Sequence, residues 1–514
     1  MRHVGRETSR TWETHTAPAS AGREAQPHGG RTMAVWESDR SIVLGDGSAD
    51  HMGKGATERA ARRGNMMQAR RTAKDMPTSL RGIASRARKD RKARFRDLYG
   101  LLNEESLRWC FYQLNKNAAA GVDKVTFKEY ERDLKANLSN LVEQLKRKRY
   151  RARQVRRKYI PKANGKRRPL GIPALEDKLL QLAVSKILTA IYEEDFLDCS
   201  WGYRPGRGPR EASRVLSNDL YRGTYGWVVE ADICGFFDHV DHRWMLRMVE
   251  QRVDDRALVH LIRKWLKAGV LEETGEVVHP DAGTPQGGII SPVLANIYLH
   301  YVLDLWFKQK VRTRVQGECR MMRFADDFVC AFRYKQDAVK FMNVLPKRLG
   351  KFNLKVAEEK TRLVQFSRFN NGKDEAFDFL GFEFRWVKRR TGKMGVRRRT
   401  SPKKLRASIR AFSEWIQRYR HTRLSNLMQT LSRKLRGYWN YFGVRGNMQS
   451  LTRFFHHCRC LLYKWLNRRS QRHSYTWPGL DAMLRHFAIP TPHIVEPPTS
   501  RQLTLFDLAR SERV

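Results

Sequence analysis

Apolar positions along the chain fall into three regimes. Up to about residue 75 they keep no sustained period, and the segment, rich in Gly, Ser, Thr, Arg and Glu, reads as a poorly ordered leader. From about Met76 to Phe384, apolar runs alternate between strand and helix character. Leu180, Ala183, Val184, Ile187 and Ile191 share one face of a helix predicted over Asp177–Tyr192. Trp227–Ile233 reads as a buried strand ending in an acid, Asp232. Met322–Phe332 is a second apolar stretch, interrupted by Asp326 and Asp327, and predicts a β-hairpin with both acids at its turn. After Phe384 the spacing becomes helical: Leu405, Ile409, Phe412, Ile416 and Tyr419 recur with Arg406, Arg410 and Arg418 between them. The expected organisation is a leader over 1–75, an α+β region over 76–385, a basic all-α domain over 386–485 and a Pro-rich tail over 486–514.

Charge adds a partner to this picture. Lys and Arg number 100 against 53 Asp and Glu, a net charge of +47 over 514 residues. At 41% hydrophobic the chain is too apolar for a disordered polybasic tail, and at 30% charged it is too polar for a membrane protein. Such a surplus repels itself when compact, and nucleic acid is the polyanion that best explains it. The leader, with thirteen basic and nine acidic residues, holds little of the excess. It also lacks the apolar core of a secretory signal. No membrane anchor is expected: the most apolar stretch, Gly288–Phe307, contains Ser291, Pro292, Asn296, His300 and Asp304. Seven cysteines, an odd number, argue for a reducing compartment. Cys458 and Cys460 fall within a helical apolar run with Phe454, Phe455, Leu461, Leu462 and Trp465, which predicts a packing face rather than a zinc site.

The sharpest chemistry lies in Asp232 and the Asp326–Asp327 pair. Burying unpaired carboxylates costs several kcal/mol unless a cation neutralises them. Three such acids at strand ends could hold two Mg²⁺ for phosphoryl transfer. For Asp326–Asp327 taken alone, a solvated acidic turn is the simpler reading.

The surrounding residues change that balance. Phe324-Ala325-Asp326-Asp327 resembles the Tyr-x-Asp-Asp box of reverse transcriptases, and six further blocks follow that family's order. They are Ala120-Gly121-Val122-Asp123; Tyr159-Ile160-Pro161-Lys162 through Arg168-Pro169-Leu170-Gly171-Ile172-Pro173; Gly202-Tyr203-Arg204-Pro205-Gly206; Asp232-Ile233-Cys234-Gly235-Phe236-Phe237-Asp238; Gly283-Thr284-Pro285-Gln286-Gly287-Gly288 through Asn296; and Phe379-Leu380-Gly381-Phe382. Together they resemble a group II intron-encoded reverse transcriptase/maturase over about residues 76–485. The resemblance implies a right-hand polymerase, with fingers and palm built on antiparallel sheet, followed by an all-α thumb/maturase domain.

It also implies roles by position. Asp232 and Asp326 match the direct metal ligands, Asp327 the supporting acid, and the Ile233 carbonyl a further oxygen ligand for two Mg²⁺. Lys162 and Arg168 match cations that hold the incoming triphosphate. Phe237 matches the aromatic gate against a ribose 2′-OH, Gln286 a residue lining the nucleotide pocket, and Lys360 a lysine near the triphosphate. Leu380 and Gly381 match a primer-gripping turn. Phe324 stands where the family usually has Tyr, Lys124 where Gly often follows the Asp, and Cys234 where Lys is frequent.

Leu431–Tyr441 resembles the maturase region, with Arg433, Lys434 and Arg436 as expected RNA contacts, while Tyr438, Trp439 and Phe442 are expected in the core. A run from Arg397-Arg398-Arg399 to Lys403-Lys404 reads as a backbone-tracking strip or a solvated linker. The paired cysteines of the family's C-terminal endonuclease are not expected, which implies a primer supplied from elsewhere, such as a replication fork. Gln502-Leu503-Thr504-Leu505-Phe506 is similar to the peptide with which bacterial enzymes dock on the sliding clamp. The implied partners are therefore intron RNA, a DNA target and template–primer duplex, dNTPs and the clamp, in the cytoplasm of a bacterium at its nucleoid.

Overall fold

The strands Val155–Pro161 (β1) and Arg167–Ile172 (β2) pair as an antiparallel hairpin that sets Ile160 opposite Arg168. Trp227–Asp232 (β3) belongs to a second sheet, while Val270–Leu271 (β4) and Val277–Val278 (β5) complete the first in the order β2-β1-β4-β5. Cys319–Phe324 (β6), Asp327–Phe332 (β7) and Arg362–Gln365 (β8) join β3 in the order β6-β7-β3-β8, antiparallel throughout. A third antiparallel sheet, β11-β10-β9, holds Phe377–Phe379 (β9), Phe382–Lys388 (β10) and Met394–Thr400 (β11). This computed structural model describes residues 78–161, 167–279, 282–284, 287–369, 376–389, 391–471 and 474–497, all within one compact unit. The leader, Lys162, Gln286 and the tail residues Gln502, Leu503, Leu505 and Phe506 lie outside the described residues.

The central strands β3 and β7 are apolar because helices cover them. Val228, Val229 and Ala231 on β3 and Phe328 to Phe332 on β7 are buried. The helix expected from Asp177 begins at Leu175 and runs to Tyr192, buried on most sides, which explains its weak polar face. One continuous core joins it to the N-terminal helices, the β3–β7 sheet and the helix Ser291–Leu299. That last helix continues into two π-helical stretches, His300–Asp304 and Phe307–Val311.

The C-terminal region is helical from Pro402 on, in Pro402–Tyr419, Leu424–Phe442, Met448–Leu466 and Trp477–His486. The start of the span expected to be all-α, 386–400, instead holds the end of β10 and all of β11, whose residues pair with each other across the sheet. Ser401 caps the first helix at the Lys404 amide, and Pro402 occupies its first turn. Tyr438, Trp439 and Phe442 are buried as expected, with the Tyr438 ring stacked on Phe454 at 3.9 Å. Cys458 packs in the same interior.

Two local expectations change. The hairpin turn consists of Ala325 and Asp326 alone, because Asp327 already pairs with Phe324 as the first residue of β7. The arginine run at 397–399 lies on β11 and makes contacts within the protein, though only Arg398 is buried. Arg398 is buried in a bidentate ion pair with Glu496 (2.8 Å on both oxygens), Arg399 pairs with Glu383 and Arg397 reaches the Gly446 carbonyl. Residues 490–497 form an extended strap that the sequence pattern does not predict. The Trp439 indole donates to the Pro490 carbonyl, Val495 donates to Gly443, and Glu496 closes the ion pair. Among the described residues no helix is long and apolar enough to cross a membrane.

Candidate active site

Antiparallel register brings the acids together. Asp232, last on β3, is the direct partner of Asp327, first on β7, so both side chains leave the same face of the sheet. Asp326 stands beside them in a two-residue turn that Ala325 closes in a left-handed conformation (φ 58°). Gly202 explains how the turn is held. A β-carbon there would lie 2.4 Å from the Ala325 nitrogen, so only glycine lets the 199–202 segment back onto the hairpin.

Beyond Asp232 the chain bridges to Val356. Ala357 donates to the Asp232 carbonyl and Cys234 to the Lys355 carbonyl, both at 2.9 Å. In this pattern Ile233 and Val356 form a non-hydrogen-bonded pair, so the Ile233 carbonyl is turned away from its partner strand. The Lys360 ammonium is drawn onto Asp232, which raises the lysine pKa. Asp326 is half-buried, and its carboxyl is pushed up to about 6, first by desolvation and then by the charge of Asp232. The Arg168 and Lys360 charges oppose that rise. Two acids of which one resists ionising, with an ammonium already drawn to the other, form a donor set short of positive charge. A hard divalent cation fits it. Among the described residues no three His, Cys, Asp or Glu side chains are gathered closely enough to hold a metal ion by themselves.

Further elements frame this floor. Phe237 is half-buried, edge-on to Phe236 at 5.3 Å, and its carbonyl accepts from the Thr284 amide at 2.7 Å. The glycine-rich loop then meets β2. At Gly287 (φ 118°) a β-carbon would fall 2.4 Å from the Gly171 carbonyl oxygen of β2. Arg168, on that strand, is exposed and close enough for its charge to act on Asp326. On the other side, Leu380 (φ 53°) and Gly381 (φ 74°) make a two-residue turn between β9 and β10. The Tyr441 hydroxyl donates to the Leu380 carbonyl at 3.0 Å and the Ser401 amide to the Gly381 carbonyl at 3.0 Å, tying that turn to the helical region.

Comparison with known proteins agrees with this geometry. Residues 160–384 match the family model described as "Reverse transcriptase (RNA-dependent DNA polymerase)". The chain is 28% identical over 475 residues to the group II intron-encoded protein LtrA of Lactococcus lactis, covering 76% of this chain and 77% of that one. A 91 kDa protein in the cob intron of Schizosaccharomyces pombe is 39% identical over 163 residues, 32% of this chain and 20% of that one. Protein YkfC of Escherichia coli is 33% identical over 308 residues, 54% of this chain and 78% of YkfC. The chain belongs to the group II intron-encoded reverse transcriptases. It is thus an RNA-directed DNA polymerase, with RNA and DNA as partners, and its family works with divalent metal ions.

In this reverse transcriptase the cations of the helical domain divide. Arg433 and Arg436 are exposed, whereas Lys434 is half-buried with its ammonium 5.2 Å from the Trp415 ring centre, and burial lowers its pKa to about 8. Arg323, Asp304 and Tyr441 have no role that the sequence motifs single out. A signal existed for the first two: each is a charge interrupting an otherwise apolar run, and buried charges require partners.

Proposed function

We propose that this reverse transcriptase binds its host group II intron RNA, assists its splicing and copies it into DNA during retrohoming. In this reading Asp232, Asp326 and the Ile233 carbonyl hold two Mg²⁺, with Asp327 as the supporting acid. When bound, the ions supply charge neutralisation at the reacting phosphate and a more acidic primer 3′-hydroxyl. The chain's own residues do the rest. Arg168, with Lys162, holds the incoming dNTP triphosphate, and Lys360 exchanges its contact with Asp232 for one with phosphate. Phe237 fills the space of a 2′-hydroxyl, Gln286 lines the pocket, and the Leu380–Gly381 turn steadies the primer end. Residues 76–385 act as fingers and palm and 386–485 as thumb and maturase domain, where Arg433 and Arg436 are the stronger RNA contacts and Lys434 a weaker one. The observation that carries the reading is the register of Asp232 against Asp327, with Asp326 at the adjoining turn, inside a chain of net charge +47.

The test is primer extension on an RNA template with Mg²⁺. Asp326→Ala should lower incorporation by at least a thousandfold while binding of the cognate intron RNA stays within about threefold. Equal incorporation by both proteins removes the assignment. The same reading puts the enzyme at the bacterial nucleoid, with Gln502, Leu503, Leu505 and Phe506 docking on the sliding clamp. A synthetic 498–514 peptide should bind purified clamp, and L505A/F506A should not.

A further inference from the structure

Behind the acidic turn lies an arginine whose every donor is used. Arg323, the residue before Phe324 on β6, is fully buried. Its Nε donates to Asp304 Oδ1 (2.7 Å), and one terminal nitrogen donates to Asp304 Oδ2 (2.6 Å) and Ser200 Oγ (2.7 Å). The other terminal nitrogen donates to Asn296 Oδ1 (3.1 Å) and the Ala325 carbonyl (3.0 Å). A guanidinium has five N–H donors, and all five are accounted for. Asp304 is also fully buried and sits at the end of the π-helical stretch His300–Asp304, the kind of widened turn that often marks a functional position.

The acceptors are not scattered. The Ala325 carbonyl belongs to the residue that holds the turn's left-handed backbone. The Ser200 hydroxyl and, through the Asn296 amide, the Gly202 carbonyl (2.8 Å) belong to the segment that backs onto that turn. The Arg323 amide donates to the Cys199 carbonyl (2.8 Å) and its carbonyl accepts from the Trp201 amide (2.9 Å), so backbone and side chain fasten the same two pieces.

We infer that Arg323 is a positioning residue, which with Asp304, Asn296 and Ser200 fixes the Ala325–Asp326 turn and thereby aims the Asp326 carboxylate. The guanidinium never reaches substrate; it acts through the Ala325 carbonyl and the packed 199–202 segment. Lysine has three donors and no planar fork, so Arg323→Lys keeps the charge but cannot span Asp304 and the turn together. Ser200→Ala removes one acceptor and leaves the ion pair intact. The inference rests on reading Asp326 as a metal-holding carboxylate.

The experiment is steady-state dNTP addition on a primed RNA template, with Mg²⁺ titrated, for wild type, R323K, S200A and the control D326A. Misplacing a catalytic group by about 1 Å can cost about 10²-fold. We expect kcat to fall about 100-fold in R323K and about tenfold in S200A. The Mg²⁺ concentration for half activity should rise, while KM for dNTP and the template–primer Kd stay within about threefold. If template–primer binding falls in parallel with kcat, the network is merely structural and the inference is overturned. If R323K does not fold, S200A decides: kcat within twofold of wild type overturns the inference. A fully active D326A would overturn the reading of Asp326 itself, whereas an inactive D326A beside a normal R323K and S200A removes only the role of Arg323.

Discussion

His300 is a titratable group that the chemistry does not use. It is buried at the start of the π-helical stretch, and desolvation lowers its pKa to about 4, with Arg323, Arg204 and Lys308 acting the same way and Asp304 opposing. A histidine whose folded pKa lies below its unfolded value near 6.5 contributes stability that is complete above that value. The contribution is lost as pH falls from about 6.5 to about 4, and amounts to about 3 kcal/mol. Asp177, pushed up to about 6 by burial although hydrogen bonds from Tyr150 and the Arg153 amide oppose the rise, works in the opposite direction, since its proton favours the folded state over much of the same range. Urea unfolding at pH 4.5 and pH 7 should therefore show a smaller acid-induced loss in His300→Phe than in wild type; equal losses would contradict the assignment.

At the scale of elements, the junctions between segments are built from close backbone contact. Gly287→Ala would drive a β-carbon into the Gly171 carbonyl at 2.4 Å in a conformation that L-residues avoid. Primer extension should fall more than tenfold, with intron RNA binding by filter assay unchanged. The strap over 490–497 makes a second junction. Its Glu496 pairs with buried Arg398, which also donates to Ser213 of the helix Pro209–Arg222. Glu496→Gln should cost about 3–5 kcal/mol in a urea titration, because a buried guanidinium loses its countercharge. Helices at 175–192 and 402–419 and the strand at 227–232 were legible in sequence because burial imposes a period. The strap was not, since an extended segment without periodic burial leaves no pattern, and neither was the fate of Arg397–Arg399, since a basic run looks alike on a surface and in an ion pair.

For the whole molecule, the charge of +47 governs how nucleic acid is held. Affinity for intron RNA should fall steeply and linearly in log–log form as salt rises, and R433A/R436A should reduce that slope, as measured by filter binding across salt concentrations. The sequence alone determined the polyanionic partner, the order of the blocks, the acids and the succession from mixed sheet and helix to helical bundle. These follow from composition, motif spacing and apolar period, which are local properties of the chain. Tertiary structure alone decided that Asp232 faces Asp327 while Asp326 occupies the turn, that Lys434 packs on Trp415, and that Arg323 and Asp304 meet across 19 residues of sequence behind the turn. Each depends on register, burial or the countercharge of a distant residue, and none of these exists until the chain has folded.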